Sequence, residues 1–354
     1  MNIGRDYLDY AVKQIVNLCN TPSPSGFTKY AEEYLVNELE SFGYRTIRSK
    51  KGSVSVDMGG EGNGLVLAAH VDTLGAMVRT VKENGRLRLA KIGSYPESNI
   101  ERENCLVHTR TGKVYSGTIF LTKASSHVFD DISEIKRNEE NLEIVLDEIV
   151  RSKSDVLNLG ISAGDFITFE PRTVITESGF IKSRHLDGKA SVGILLALAK
   201  LVKDKTARLN RKTWLLFTTY EEVGHGGAAG IPAGIDEIIA VDMGVIGDDL
   251  QTNEYKVSIC AKDTYGPYDY DITTNLISIA KNMQLDYAVD IYPRYGSDVD
   301  ISLRAGYDIK HGLIGPGVYA SHGYERTHLE GIKNTFKLVM GYTLSEEVNW
   351  NTSI

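Results

Sequence analysis

Two adjacent carboxylates follow a short apolar run near the middle of the chain. The run Trp214 to Phe217 is brief and punctuated, which predicts a buried strand, and Glu221 and Glu222 come just after it. In an open α/β sheet, ligands bind outside the carboxyl ends of strands, where this pair would lie. Side chains alternate along a strand, so one carboxylate could bind a metal while the other serves as a base. Taken alone, such a pair more often opens a solvated loop.

A second apolar run, Leu65 to Ala69, leads into a histidine and a carboxylate. His70 and Asp72 stand two residues apart, so on an extended backbone they would share a face. A carboxylate beside a metal-binding histidine fixes its tautomer and raises its basicity. A lone histidine in this position is more often a core residue, but the Glu221–Glu222 segment favours metal ligation here.

A further carboxylate, Asp187, precedes the strongly apolar segment Val192 to Val202, which predicts a helix. Capping of that helix is the structural explanation for Asp187, and metal ligation is the functional one. His185 would crowd Asp187 on a strand, so we expect it to be a surface or supporting residue.

Two further candidate ligands follow apolar strands later in the chain. Asp242 ends the run Ile238 to Val241, and His322 follows a glycine-rich stretch after the predicted strand Ile309 to Ile314. His328 competes with His322, but it lies nearer the closing helix. His322 directly follows the glycine-rich loop and is preferred.

These residues form a set of imidazole and carboxylate ligands. Such ligands suit zinc, cobalt or manganese, and they require no cysteine. Five ligands, one of them bridging, are enough for two cations about 3.5–4 Å apart. Such a pair polarises a carbonyl and lowers the pKa of a bridging water, whose proton a free Glu221 could pass to a leaving amine. The proposed ligands are His70, Asp187, Glu222, Asp242 and His322.

Composition limits the classes of protein that this chain can represent. Its 354 residues suffice for one large and one smaller domain, and 42% hydrophobic with 24% charged residues is typical of a globular protein. A net charge of -8 argues against nucleic-acid binding. The chain lacks a membrane-length apolar run and a signal-peptide pattern. Three scattered cysteines predict reduced, buried thiols in a cytoplasmic protein: Cys19, Cys105 and Cys260.

The sequence texture changes between residues 74 and 171. Short alternating runs separated by glycines and charged turns predict an inserted β-rich domain, whereas residues 1–73 and 172–354 alternate helical and strand patterns. Two glycine patterns, one before this segment and one within it, carry no chemistry. Gly59 to Gly64 lacks the helix that a phosphate loop needs. Gly160 to Gly164 precedes a predicted strand, so it is not a nucleophile elbow.

Taken in order, several motifs resemble those of the M42 family of metal-dependent aminopeptidases, which includes the TET aminopeptidases. They are Pro22-Ser-Pro-Ser-Gly26, His70-Val-Asp72, Gly164-Asp-Phe166, Leu186-Asp187, Glu221-Glu222-Val-Gly224, Val241-Asp242 and Gly296-Ser-Asp298. The resemblance implies a mixed-sheet α/β/α metallopeptidase domain and an inserted small β-rich domain, PDZ-like or a barrel, for dimerisation or as an adaptor.

The same resemblance implies roles for individual residues. His70, Asp187 and Asp242 would hold one metal, and a bridging Asp187 with Glu222 and His322 would hold the other. Glu221 would be the general base and Asp72 would orient His70. The loop Gly296, Ser297 and Asp298 is expected to contribute to the substrate pocket.

The resemblance also implies the cofactors and partners. We expect two divalent ions per subunit, Zn²⁺ in first place with Co²⁺ or Mn²⁺ as alternatives. Peptides are the expected substrates, and the expected assembly is a homo-oligomer, with a twelve-subunit tetrahedron as one form. No nucleic-acid or membrane partner is expected.

Two departures from the family pattern bear on activity. The family usually has Asn or Asp and then Arg after the bridging aspartate, where this chain has Gly188 and Lys189. The last histidine usually lies in a Tyr-x-His-Ser-type pattern, whereas this chain reads Tyr319-Ala-Ser-His322-Gly. These departures keep open a binding protein on a peptidase scaffold. A metal-dependent deacylase of N-acyl amino acids also stays open, because the same metal chemistry would serve it, and so does a glycan hydrolase that uses Glu221 and Glu222 as its acid pair.

Overall fold

The apolar runs predicted as strands pair into a nine-stranded mixed sheet in a computed structural model of the chain. The structure describes residues 3–204 and 207–345. The strands of this sheet are β1 (Thr46–Arg48), β2 (Val54–Gly59), β3 (Leu65–His70), β12 (Thr213–Thr218), β13 (Glu237–Val241), β14 (Gly244–Val245), β15 (Val257–Lys262), β16 (Tyr287–Ile291) and β17 (Lys310–Val318). Their order is β1-β2-β12-β3-β13-β17-β15-β16, with β14 paired to β17.

Seven α-helices lie in the described part of the chain. They are α1 (Ile3–Cys19), α2 (Lys29–Ser41), α3 (Lys153–Asn158), α4 (Lys189–Lys203), α5 (Tyr270–Asn282), α6 (Asp298–Arg304) and α7 (Leu329–Thr343). The predicted closing helix, Ile332 to Val348, corresponds to α7, and its predicted last three residues lie outside the described ranges. None of the described helices is long and apolar enough to cross a membrane.

Both faces of the central sheet are apolar, which makes the fold an α/β/α sandwich. Alternate residues of β3 point to opposite faces, and every residue of that strand is buried. Leu65 and Leu67 pack in the cluster that includes residues of α1, α2, α4, α5 and α7. Val66 and Ala68 pack on the other side with Val299 of α6. Continuous apolar strands such as β3 are therefore explained by burial on two faces.

The inserted β-rich segment forms a closed six-stranded barrel with its own hydrophobic core. Its strands are β4 (Gly75–Val81), β5 (Leu87–Ile92), β6 (Asn104–His108), β7 (Val114–Leu121), β8 (Leu142–Leu146) and β9 (Phe166–Phe169). The mixed α/β class with a separate small β domain is confirmed, and of the two predicted forms the domain is a barrel. The domain limits and its dimerisation or adaptor role remain predictions.

A small antiparallel sheet adjoins the sandwich. It consists of β10 (Val174–Ile175), β11 (Phe180–Ser183) and β18 (Glu325–His328). Ser183 pairs with Glu325, so the segment that leads into Asp187 runs beside the start of β18. The three cysteines are buried and free, in agreement with the prediction.

Lys189 links the start of α4 to the end of α1. Its side chain is fully buried, and its ammonium donates hydrogen bonds to the carbonyls of Leu18 and Thr21, each at 2.8 Å. Burial lowers the pKa of Lys189 to about 8. The unusual lysine after Gly188 therefore has a structural explanation, because it provides donors for carbonyls at the end of a helix.

We expect Lys189→Met to lower the free energy of unfolding by about 1–3 kcal/mol, because two buried carbonyls lose their donor. Lys200→Met removes a lysine from the partly exposed side of the same helix, where a surface pair with Asp204 contributes at most about 1 kcal/mol. Urea titrations of both variants measure their free energies of unfolding. An equal decrease for the two variants would contradict the prediction.

A buried polar cluster lies beneath the first turn of α6. Ser297 and Asp300 form the capping box of this helix. The Tyr268 hydroxyl donates to Asp263 at 2.7 Å and also contacts Ser297 and Asp300, while His311 lies 3.9 Å from Asp300. Burial, assisted by hydrogen bonding to the Asp300 carboxyl, raises the pKa of Asp263 to about 6.

Asp263→Asn should therefore gain stability relative to the wild type as the pH rises from 4 to 7. A carboxyl group whose pKa is higher in the folded than in the unfolded protein stabilises the fold fully at pH values below its unfolded-state pKa. In the wild type this contribution is lost as the pH rises through the folded-state pKa of about 6. Over this pH range, the free energy of unfolding of the variant should rise relative to that of the wild type by an amount on the order of 2–3 kcal/mol. Thermal midpoints of both proteins across this range measure it, with exposed Asp9→Asn as the control. A difference independent of pH would disprove the prediction.

Candidate metal centre

Neighbouring parallel strands bring the predicted ligands to one edge of the sheet. β12 and β3 pair in parallel with Thr218 opposite His70. β13 lies parallel to β3 and to β17, with Val241 opposite Ile314. His70 ends β3, and Asp242 directly follows β13. The carboxyl ends of these strands therefore meet where an α/β sheet binds its ligands.

One cluster consists of His70, Asp187 and Asp242, all of them buried. The His70 Nε2 atom lies 3.2 Å from Asp187 Oδ1 and 3.4 Å from Asp242 Oδ1. The potential ligand atoms of the three residues lie within 4.8 Å of one another. This spacing allows all three to contact a single cation.

A second cluster consists of Asp187, Glu222 and His322. The His322 Nε2 atom lies 3.4 Å from Asp187 Oδ2 and 3.5 Å from Glu222 Oε2. The two oxygens of Asp187 thus face different histidines, Oδ1 toward His70 and Oδ2 toward His322. A carboxylate with this arrangement can bridge two cations.

His328, the alternative to His322, lies elsewhere. Its Nδ1 atom accepts the Glu330 amide at the start of α7, and its Nε2 atom contacts the Ser178 carbonyl at 2.8 Å. It therefore serves as the N-cap of α7, while His322 reaches the carboxylates.

The imidazole of His322 is held from the barrel side of the molecule. The residue has left-handed backbone geometry, with φ of 62°. Its Nδ1 atom lies 2.5 Å from the carbonyl of Ser94, just after β5, and its own carbonyl accepts the Asn99 side chain at 2.9 Å. A carbonyl can only accept, so Nδ1 carries the proton and Nε2 is free to face a metal.

Asp187 is fixed by a buried carboxylate that the sequence analysis missed. Glu325 Oε2 accepts the amides of Leu186 and Asp187 at 2.6 and 3.0 Å, and its Oε1 accepts the amide of His322 at 3.0 Å. One side chain thus holds two of the predicted ligands. The available signal was an acidic residue three positions after His322, at the start of a strand.

Gly188 explains why Asp187 does not cap α4. The N-cap residue is Gly188, with φ of 71°, and the carboxylate of Asp187 points to the histidines instead. A Cβ atom at Gly188 would lie 2.5 Å from the His70 ring. Both the left-handed φ and the close approach to His70 require glycine here.

The contact between Asp72 and His70 differs from the predicted one. Asp72 lies beyond the end of β3, and its main-chain carbonyl accepts the His70 Nδ1 proton at 2.9 Å. Its carboxylate is 3.7 Å from that nitrogen. This carboxylate accepts the Ser25 hydroxyl and the amides of Glu221 and Glu222, at 3.1 and 3.3 Å. It therefore orders the segment that carries the paired glutamates.

Glu221 and Glu222 do not continue a strand. β12 ends at Thr218, and the pair lies in a 3₁₀ turn, Glu221–Val223, after Tyr220 with φ of 69°. The expected alternation on extended backbone is wrong, but the turn also separates the two side chains. Glu222 joins the second cluster, whereas the Glu221 carboxylate lies 4.0 Å from His70 Nε2 and belongs to neither cluster.

The clustered carboxyl groups have a surplus of negative charge. Burial, reinforced by Asp187, raises the pKa of Glu222 to about 8, and burial also raises the pKa values of Glu221 and Asp242. Burial would raise the pKa of Asp187 too, but hydrogen bonds with His322 and His70 hold it below its usual range. Divalent cations would compensate this charge.

One buried atom in the site has no hydrogen-bond partner among the described residues. Asp242 Oδ1 is inaccessible to solvent and has no hydrogen-bond partner within the described residues. Buried polar atoms are rarely left unpaired unless an ion or water completes their contacts. This oxygen faces His70, so the residues present fit a bound cation.

A cavity of about 410 Å³ opens beside the two clusters. Of the predicted substrate loop, Gly296 and Ser297 line this cavity, but Asp298 does not. The Asp298 carboxylate instead accepts the Thr218 hydroxyl and the Gly227 amide, because the side chain turns back under the sheet edge. The remaining lining residues are Ser94, Asp187, Glu221, Glu222, Gly224, Tyr265, Arg294, Tyr295, Ile301, Arg304 and His322.

His185 is buried, so its interpretation as a surface residue is wrong. It is 8% exposed, and burial, reinforced by Lys189 and Arg184, holds its pKa well below the usual range. The residue supports the segment before Asp187, with its carbonyl 3.4 Å from the thiol of Cys19.

Solved structures share this architecture. An aminopeptidase from the archaeon Desulfurococcus kamchatkensis superposes with a TM-score of 0.85 at 20% identity, covering 97% of each chain. The TET1 peptidase of Pyrococcus horikoshii, which can assemble into a tetrahedron or a large octahedral shell, gives 0.82 at 22% identity, covering 95% of this chain and 100% of that one. At sequence identities this low, the similarity shows a shared fold.

Sequence comparison extends the relationship to the family. YhfE of Bacillus subtilis strain 168, a candidate aminopeptidase, is 45% identical over 339 residues, 95% of this chain and 97% of that protein. A glutamyl aminopeptidase of Lactococcus lactis is 24% identical over 195 residues, covering 53% and 54% of the two chains. The model of the family described as M42 glutamyl aminopeptidase matches residues 52–338. The predicted resemblance is confirmed: the chain belongs to the M42 peptidase family and is an aminopeptidase.

Proposed function

We propose that this aminopeptidase removes N-terminal residues from peptides at a centre of two divalent cations, with Glu221 as the general base. The observation that carries the proposal is the position of Asp187, whose two carboxylate oxygens face two separate clusters. The absence of a bonding partner for Asp242 Oδ1 within the described residues supports it as well.

The ligands in this proposal fall into two sets. His70, Asp187 and Asp242 would hold one cation, and Asp187 with Glu222 and His322 would hold the other. Zn²⁺ is the first expectation for these nitrogen and oxygen donors, and Co²⁺ and Mn²⁺ are alternatives. Two bound cations would supply Lewis acidity for the scissile carbonyl and a lowered pKa for the attacking water.

Three features of Glu221 support its assignment as the general base. It lines the cavity, lies near His70 and stands outside both ligand sets. Burial raises the pKa of Glu221 above the usual range, so its carboxylate binds a proton more readily than an exposed one. In the proposed reaction its carboxylate takes the proton of the attacking water and passes it to the nitrogen of the leaving amine.

We expect Glu221→Gln to lower kcat about 10²- to 10⁴-fold while the purified protein keeps its metal content, because the amide cannot accept the proton. Hydrolysis of aminoacyl-anilides and elemental analysis measure the two quantities, with exposed Glu61→Gln as the control. N-acylated substrates in the same panel test the deacylase alternative. Activity that survives thorough chelation, or is unchanged in Glu221→Gln, would refute the mechanism.

The cavity also supports a preference for acidic N-terminal residues. Arg294 and Arg304 both line it, and the Arg304 guanidinium lies 3.8 Å from the centre of the Tyr265 ring. Neither arginine has a carboxylate within ion-pair distance in the described part of the chain. Two guanidinium groups without anionic partners suit the carboxylate of an N-terminal Glu or Asp, which they can bind through charge-assisted hydrogen bonds.

Replacing both arginines by leucine should lower kcat/KM for a glutamyl-anilide about 10- to 100-fold relative to a leucyl-anilide, because a carboxylate in the cavity would lose its charged donors. The ratio of the two kcat/KM values is the measurement. Arg48→Leu, on the exposed edge strand β1, serves as the control. A wild-type enzyme that favours lysyl- or leucyl-anilide would contradict this preference.

We also propose that the chain acts as a homo-oligomer in the cytoplasm, with the barrel over residues 74–171 as the dimerisation or adaptor domain. A twelve-subunit tetrahedron is the specific hypothesis. The similarity in fold to a peptidase that can form a tetrahedron supports it. Three free, buried cysteines fit a reducing compartment.

A further inference from the structure

The segment that carries Glu221 and Glu222 has little regular structure of its own. Residues 219–226 leave β12, pass through Tyr220 with φ of 69° and Gly224 with φ of 79°, and make only short 3₁₀ turns. A tyrosine does not favour left-handed backbone geometry by itself. Contacts from other parts of the chain must therefore fix the positions of both carboxylates.

Two buried carboxylates hold amide groups in and just after this segment. Asp72 accepts the amides of Glu221 and Glu222, and Asp298 accepts the amide of Gly227 at 2.7 Å. Asp72 is completely buried, and Asp298 is nearly so. Asp72 follows β3 and Asp298 begins α6, so both restrain the segment from the inside of the protein.

Lys51 holds the same segment from the outer side. Its main-chain carbonyl accepts the Thr219 hydroxyl at 2.8 Å. Its ammonium donates to the carbonyl of His225 and, at 3.3 Å, to that of Gly226. The ammonium has no carboxylate within ion-pair distance in the described ranges, so these carbonyls are its principal partners. One residue thus contacts both ends of the segment.

The turn that carries Lys51 is itself well ordered. It joins β1 to β2, and hydrogen bonds between Ser49 and Ser53 close it, one from the Ser49 amide to the Ser53 carbonyl at 2.8 Å and one from the Ser53 amide to the Ser49 hydroxyl at 3.0 Å. A lysine on such a turn can act as a fixed donor, and bonds from a charged group are roughly twice as strong as neutral ones.

We propose that Lys51 is a positioning residue for the paired glutamates. Asp72 and Asp298 bind amides on one side of the segment, and Lys51 binds carbonyls and the Thr219 hydroxyl on the other. Lys51 does not line the cavity, so it acts through the segment and has no contact with substrate. The catalytic part of this inference rests on the proposed roles of Glu221 and Glu222.

Lys51→Met tests the proposal, and Lys50→Met is the matched control. Lys50 is the exposed neighbour on the same turn, so its variant makes the same change of charge and size. For Lys51→Met we expect a fall in kcat of about 10- to 100-fold, the effect of misplacing a reacting group by about 1 Å. KM should change less than about threefold, and Lys51→Arg should recover part of the loss because it retains a charged donor.

Hydrogen exchange provides a readout that does not depend on catalysis. The amides of residues 219–226 should exchange faster in Lys51→Met than in Lys50→Met, while β12 and β3 keep their protection. If Lys51→Met does not fold, Thr219→Val tests the other contact of Lys51, and the same loss of protection is expected.

A kcat within twofold of wild type with unchanged exchange, or equal effects of both lysine variants, would overturn the proposal. Faster exchange together with a fully active Glu221→Gln would instead support the positioning of the segment and reject the role of Glu221.

Discussion

The candidate centre depends on one buried carboxylate shared by two imidazoles. Asp187 contacts His70 through one oxygen and His322 through the other, so its orientation sets the geometry of both clusters. Glu325 fixes that orientation through main-chain amides. Gly188 leaves room for the His70 ring. A buried anion is stable only when oppositely charged or hydrogen-bonding partners compensate it, and the imidazoles of His70 and His322 do so for Asp187.

The rest of the fold brings these partners together. A sheet that is apolar on both faces aligns the ends of β3, β12 and β13, and each end delivers a different polar group. His70 and Asp242 lie at strand ends, whereas Asp187, Glu222 and His322 lie in the segments that connect strands and helices. Asp72 and Lys51 act on the segment after β12, and Ser94 acts on His322. The sheet thus determines which groups meet, and the loops determine how they are oriented.

The sequence permitted a good prediction of the groups that meet and a poorer one of their orientation. His70, Glu222 and Asp242 follow apolar strands, a pattern that is visible along the chain. The role of Glu325 was not visible, because it depends on the pairing of β11 with β18. The Asp72 carboxylate was assigned to His70 on the assumption of extended backbone, which ends before that residue. Burial of His185 and the turn at Tyr220 likewise arise from tertiary packing.

The contacts of Ser94 and Asn99 with His322 have a consequence for the evolution of this architecture. Both residues lie in the connection after β5, yet Ser94 contacts the imidazole of His322 and Asn99 contacts its main-chain carbonyl. The barrel is therefore not a detachable module. A deletion that joined β3 directly to β11 would leave the sandwich core intact but would remove the carbonyl that orients one imidazole. Loss or exchange of the insertion during divergence would require a replacement for that carbonyl.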